Sequence, residues 1–149
     1  MDPQERKVYL TFDDGPIPEA TPEILDILAR EDVKATFFMV GDNVRKYPEI
    51  ARRVIDEGHA VGNHTFHHIK ALGMGTASYR LDVVQASGLS PSRLFRPPHG
   101  WLWSRQWRVH AARDSDWYIT TLSHATIREE WMRGEWWRMF VAMPVPVPL

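Results

Sequence analysis

The chain has 149 residues, enough for one domain of ordinary size with a real core. Its 18 Lys and Arg against 19 Asp and Glu leave a formal charge of −1, which gives no electrostatic case for binding nucleic acid or an anionic membrane. There is no cysteine, so disulfides and thiolate metal sites are excluded, and any metal must be held by His and carboxylate. The stretch Met1 to Lys7 is polar and carries no secretory signal, and no apolar run is long enough to span a bilayer. A cytoplasmic monomer is the expectation; a secreted or cell-wall-associated form stays open if a precursor segment is removed.

The run Val8-Tyr9-Leu10-Thr11-Phe12 reads as a buried strand that leads into Asp13 and Asp14, with Gly15 and Pro16 breaking it. Side chains alternate on a strand, so both carboxylates serve one site only if the backbone turns there, and Gly15 permits the turn. Thr21 as N-cap, Pro22 at the first helical position, Glu23 in the first turn and the stripe Ile24, Leu25, Ile27, Leu28 predict a helix over about 22–31. Val33 to Val40 is a second strand, stopped by Gly41. Asp42 or Asn43 as cap, Ile50, Val54 and Ile55 pointing inward and Gly58 as stop predict the next helix. Ala60-Val61-Gly62 is a short third strand that empties into Asn63-His64-Thr65-Phe66-His67-His68. Tyr79, Leu81, Val83 and Val84 predict a helix over 76–87, and Ser92 to Phe95 is a fourth strand ending in Arg96-Pro97-Pro98-His99-Gly100.

Strands alternating with helices imply βαβ units and a parallel sheet. Active sites in such folds gather at the C-terminal ends of the strands, where each of these polar clusters falls. The last third differs. All seven Trp lie between 101 and 137, and Tyr118 to Leu122 is the best strand-like run. Residues 128–142 are compatible with a helix but show no clean apolar stripe, and the Pro-rich tail 143–149 reads as extended or disordered. The expected organisation is one domain over 1–142 followed by that tail.

His64 and His68 are spaced i, i+4, which on a helix or tight loop aims both rings at one point. With one carboxylate they make a 2-His-1-carboxylate site with open positions, suited to zinc, iron, cobalt or manganese. One of Asp13 and Asp14 would bind the ion. The other would take a proton from a water whose pKa the ion lowers. His67 then points elsewhere, and Thr65 ties the loop together. Arg96 reads either as a surface residue before a rigid Pro-Pro turn or as the partner that keeps the base carboxylate ionised and oriented. The backbone N–H of His99 is free to face a developing oxyanion.

Over about residues 7–104 the sequence resembles the NodB-homology polysaccharide deacetylases, carbohydrate esterase family 4. The motif TFDDG is matched by Thr11 to Gly15, H-[ST]-x-x-H by His64, Thr65 and His68, and R-x-P-[YF]-G by Arg96, Pro98 and Gly100, with His99 in place of the aromatic residue. The resemblance implies an irregular (β/α) barrel, here incomplete at the C-terminal end. It implies Asp13 as catalytic base, Asp14, His64 and His68 as ligands of one divalent metal, expected to be zinc, and Arg96 as support for Asp13. The backbone of His99 would line the oxyanion hole. The implied substrates are N-acetylated oligosaccharides or polysaccharides, chitin-like or peptidoglycan-like, whose acetyl groups are removed by hydrolysis.

Two family motifs match loosely. Asp114 or Asp116 with Trp117 stand where a pocket-lining Asp and Trp are expected, and Leu122-Ser123-His124 matches only the end of L-x-L-H. His124 is the candidate proton donor to the leaving group and His99 the runner-up; the bland reading of His124 is a loop histidine. A donor out of reach would favour acetyl esters over amides. A C-terminal third of this composition also fits a truncated domain or a shifted reading frame. Rival readings are a carbohydrate-binding remnant of the same fold and an iron oxygenase, the latter disfavoured because such triads normally sit on β-rich double-sheet folds.

Overall fold

The computed structural model describes residues 9–89 and 92–100 and the strand Tyr118–Ile119. In chain order the elements are β1 (Thr11–Asp13), α1 (Thr21–Arg30), β2 (Thr36–Met39), α2 (Gly41–Lys46), α3 (Pro48–Asp56), β3 (Ala60–Asn63), α4 (Thr76–Ser87), β4 (Leu94–Phe95), a 3₁₀ turn (Pro98–Gly100) and β5 (Tyr118–Ile119). The strands lie side by side in sequence order, and every pair is parallel. This is the α/β arrangement that the alternation of strands and helices predicts. The Trp-rich segment, the proposed helix over 128–142, the tail, Asp114, Asp116, Trp117 and His124 lie outside the described residues.

Alternation along the strands sorts the side chains into two layers. Phe12, Phe37, Met39 and Val61 turn to one face, where Leu25 and Leu28 of α1, Val44 of α2 and Ala51 and Val54 of α3 cover them. Phe12 stacks on Phe37 with ring centroids 5.1 Å apart. Full burial of a Leu, Val, Phe or Met side chain, as at Leu25, Val54, Phe37 and Met39, contributes about 1.5–3 kcal/mol. Thr11, Asp13 and Phe38 take the other face, beside Gly62, which pairs with Phe38 in register. A Cβ on Gly62 would stand 2.4 Å from the Phe38 ring, so only glycine fits there. A second cluster, Ala71, Tyr79, Val83 and Phe95, seats α4 against the sheet.

Several local expectations are corrected. Thr21 does not cap α1: it is the first helical residue, and its hydroxyl accepts from the backbone N–H of Ile17 at 2.9 Å. The single helix expected after Gly41 is two, α2 and α3, because Pro48 disfavours the helical conformation at Tyr47. Neither Asp42 nor Asn43 is the cap: both lie inside α2, which starts at Gly41 and has Val40 at its N-cap. Ile55 is 48% exposed, whereas Ile50 and Val54 are buried. On α4 the buried set is Tyr79, Asp82, Val83 and Ala86, while Leu81 and Val84 face solvent. Gly58 does end α3, in the left-handed region at φ 79°.

Candidate active site

Asp13 closes β1 on the face shared with Thr11, and Asp14 follows at φ 70°. The turn that brings both carboxylates to one strand end is therefore made by Asp14 itself, not by Gly15, which has no positive φ. Aspartate tolerates the left-handed region better than most residues. Asn43 of α2 pins the turn by donating Nδ2–H to the Asp14 carbonyl at 2.8 Å.

The histidines leave β3 on a loop whose backbone is held at both ends. Asn63, fully buried, accepts the Thr65 N–H at 2.8 Å and donates Nδ2–H to the Val83 carbonyl and the Ser87 hydroxyl. Gly41 and Asp42 donate their backbone N–H groups to the Thr65 and Phe66 carbonyls, both at 2.9 Å, so free donors at the start of α2 satisfy the loop. Asp82 of α4 accepts from the backbone N–H groups of Phe66 and His67 at 2.7 and 3.0 Å. Thr65 and His68 both have positive φ, which for a β-branched threonine costs about 1–3 kcal/mol. These bonds over-determine the loop and hold that strain. Thr65 ties the loop as expected, its hydroxyl accepting from the Ile69 N–H at 3.3 Å. Asn63 and Asp82 went unread in the sequence, although an acid on the Tyr79–Val83 stripe was a legible sign.

Asp14 Oδ1 lies 3.3 Å from His64 Nε2 and 3.0 Å from His68 Nε2. One ligand atom from each of the three residues falls within 4.8 Å of the others. Donors each about 2.0–2.2 Å from a common ion, at angles between octahedral and tetrahedral, stand about 3.0–3.5 Å apart, so this set fits one divalent ion. His64 Nδ1 lies 2.7 Å from the Arg96 carbonyl, which can only accept, so Nδ1 carries the proton and Nε2 offers its lone pair to the cluster. Burial lowers the His64 pKa, which favours the neutral form that ligation requires. Asp14 is 66% exposed at its side chain, so the cluster opens to solvent and leaves room for substrate.

Arg96 is buried, not a surface residue. Its Nη1 donates to Asp13 Oδ1 at 2.6 Å and to Thr11 Oγ1 at 3.0 Å. Its guanidinium carbon sits 4.1 Å from the Phe38 ring centroid. Asp13 is thus held by a cation and lies outside the cluster of Asp14, His64 and His68. His99, in the left-handed region at φ 61°, places its ring 4.9 Å from that of His68. His67 is not one of the three clustered residues; its Nδ1 lies 2.5 Å from Asp82 Oδ1. The cleft beside the cluster, about 410 Å³, is lined by Asp14, Val40, Asp42, Asn43, His67 and His68. The structure therefore brings together Asp13, Asp14, His64, His68, Arg96 and His99.

Residues 1–115 match the polysaccharide deacetylase family. The chain belongs to the NodB-homology polysaccharide deacetylases. It is 43% identical over 101 residues to a peptidoglycan-N-acetylglucosamine deacetylase of Bacillus cereus, covering 63% of this chain and 36% of that protein. It is 42% identical over 107 residues to a chitooligosaccharide deacetylase of a Bradyrhizobium species, covering 67% of this chain and 48% of that one. The chain thus spans between about a third and a half of the length of these curated relatives. A solved peptidoglycan N-acetylglucosamine deacetylase superposes with a TM-score of 0.71 at 36% identity, over 76% of this chain and 55% of that one. A family 4 carbohydrate esterase from Streptomyces lividans, solved with acetate, gives 0.70 at 28% identity, over 76% and 60%. The parallel sheet described above is therefore that of the family's (β/α) barrel fold.

Proposed function

We propose that this chain is a metal-dependent hydrolase that removes acetyl groups from N-acetylated sugars of a peptidoglycan-like or chitin-like polysaccharide or oligosaccharide. The observation that carries the reading is the placement, at one end of one sheet, of a three-ligand cluster beside a carboxylate that Arg96 holds and the cluster does not use. The names of the relatives support the substrate class.

Asp14, His64 and His68 hold the ion, and zinc is the proposed one, matched by two imidazoles and a carboxylate. When bound, the ion supplies Lewis-acid activation of the acetyl group and of the attacking water. Asp13 accepts the proton of that water at Oδ2, while Oδ1 stays bound to Arg96. The fixed ion pair keeps the carboxylate aimed. The backbone N–H of His99, presented by the turn after Pro97 and Pro98, faces the oxyanion that develops on the acetyl oxygen. Expulsion of the amine needs a proton on nitrogen, from His124 or His99. Burial first, then the neighbouring His68 and Lys70, lower the His99 pKa, and Asp14 opposes them.

The test is acetate release from N-acetylglucosamine oligomers with and without added divalent metal. Metal-dependent release supports the reading, and its absence at full metal loading overturns it. Loss of release in His124→Ala, with His99→Ala still active, would assign the donor to His124. Slow amide turnover beside fast ester turnover, unchanged in both His99→Ala and His124→Ala, would show that neither histidine protonates the amine.

A further inference from the structure

The family motif leaves the residue before the second ligand histidine open, and in this chain it is His67. It is held in a way that a surface histidine does not need. Asp82 is buried on α4, and its Oδ2 accepts two backbone N–H groups of the loop. Its other oxygen, Oδ1, lies 2.5 Å from His67 Nδ1. A carboxylate oxygen accepts, so Nδ1 carries the proton and Nε2 is left to meet a partner outside the loop. The Phe66 ring packs edge-on against the imidazole, with centroids 4.6 Å apart, and fixes its plane. More than half of the His67 side chain is exposed, and it lines the cleft that also holds Asp14 and His68. Among the described residues no hydrogen bond reaches Nε2. Asp42, on the same cleft wall, is held in place by Arg45 and Lys46 at 2.6 and 2.5 Å. The cleft beside the cluster is thus lined by an oriented imidazole and an oriented carboxylate. That is the chemistry which recognises vicinal sugar hydroxyls.

We propose that His67, pinned by Asp82, is a substrate-positioning residue that hydrogen-bonds through Nε2 to a hydroxyl of the sugar bound beside the three-residue cluster. The inference rests on the proposed sugar-deacetylase reading. It gives a role to an open position of the second matched motif, and it assigns His67 binding rather than proton transfer.

Two substitutions separate this role from a purely structural one. Asn at position 67 reaches as far as Nδ1, so His67→Asn keeps the bond to Asp82 and removes the group facing the cleft. Gln reaches the Nε2 position but gives up the Asp82 bond, and guards against a poorly folded Asn variant. Binding of a chitin tetramer is read by titration calorimetry on metal-loaded protein, with acetate release, metal content and melting temperature read in parallel. The expected result is roughly 5-fold weaker binding by His67→Asn, the loss of one neutral hydrogen bond, with KM raised by the same factor and kcat changed less. Metal content and melting temperature stay at wild-type values, and His67→Gln binds more tightly than His67→Asn. Wild-type binding by His67→Asn, or weaker binding by Gln than by Asn, overturns the inference while deacetylation stands. Binding that weakens as expected in a chain releasing no acetate leaves the inference in place and removes the deacetylase reading. A wild-type chain that does not bind the tetramer overturns the inference outright.

Discussion

Replacing Arg96 with Met removes the cation that aims Asp13 while keeping a side chain of similar length over Phe38. Two hydrogen bonds from Nη1 disappear, at 2.6 Å to Asp13 and 3.0 Å to Thr11. A hydrogen bond between charged groups contributes about 1.5–3 kcal/mol and a neutral acceptor about 0.5–1.5 kcal/mol. Asp13 is 33% exposed at its side chain, so water repairs part of the first loss. The cation–π contact with Phe38 adds about 0.5–2 kcal/mol, partly replaced by the Met thioether. The sum is about 3 kcal/mol, which for a chain of this size lowers the melting midpoint by roughly 9 °C. The effect on chemistry is larger, because a base that is no longer aimed loses much of the roughly 10²–10⁴-fold that general-base catalysis supplies. Metal content is expected to hold, since the bond to His64 comes from the Arg96 backbone carbonyl, which the substitution keeps. The assays are thermal melting, metal analysis and acetate release on one preparation. An Arg96→Met variant with wild-type acetate release and a midpoint within about 1 °C of wild type would refute the role given to this ion pair.

Asp13→Asn should keep the metal and lose most acetate release, about 10²-fold or more, because an amide preserves shape but accepts no proton; loss of the metal instead would exchange the two aspartate roles. Gly62→Ala drives a methyl to 2.4 Å from Phe38, the ring beneath Arg96. It should cost about 1–3 kcal/mol in denaturant unfolding together with activity, and a neutral result would mean that the ring moves freely. His59 is buried far from the metal cluster, and desolvation first, then Lys34, lowers its pKa below the usual 6.5. The unfolded chain then binds the proton more readily, so stability from this group is present above about pH 6.5 and is lost as pH falls towards the folded value. Urea midpoints of metal-free protein should therefore fall on acidification, less so in His59→Gln; identical slopes in the two proteins would rule out His59 as the cause.

The three polar clusters were legible because residue type and position agreed. Carboxylates, paired histidines and an arginine each followed a run of strand formers, and a parallel sheet delivers strand ends to one edge. What supports them was harder to read. The sequence assigned the turn at the aspartates to Gly15, since glycine is the usual left-handed residue, whereas Asp14 takes that conformation itself. α4 carries apolar side chains around its whole circumference, so Leu81 and Val84 masked the true inner face, on which Asp82 sits. Asn63 looked like one more loop residue because its partners, Val83 and Ser87, are 20 and 24 positions away. The break at Tyr47 was signalled by Pro48, and the helix stop at Gly58 was read correctly for its physical reason. Sequence alone does not choose between surface and site for Arg96, because burial of a guanidinium depends on Phe38, Thr11 and Asp13 meeting across the sheet.

Metal stoichiometry and acetate release, measured together on protein loaded with zinc and freed of excess, test the central claim most directly. One ion per chain is predicted in the wild type and in Asp13→Asn, and none in His64→Ala, which removes a buried ligand of the cluster. Acetate from N-acetylglucosamine oligomers is predicted from the wild type at a rate that falls about 10²-fold or more in both variants. A His64→Ala protein that keeps its zinc, or a zinc-loaded wild type that releases no acetate, would contradict the account.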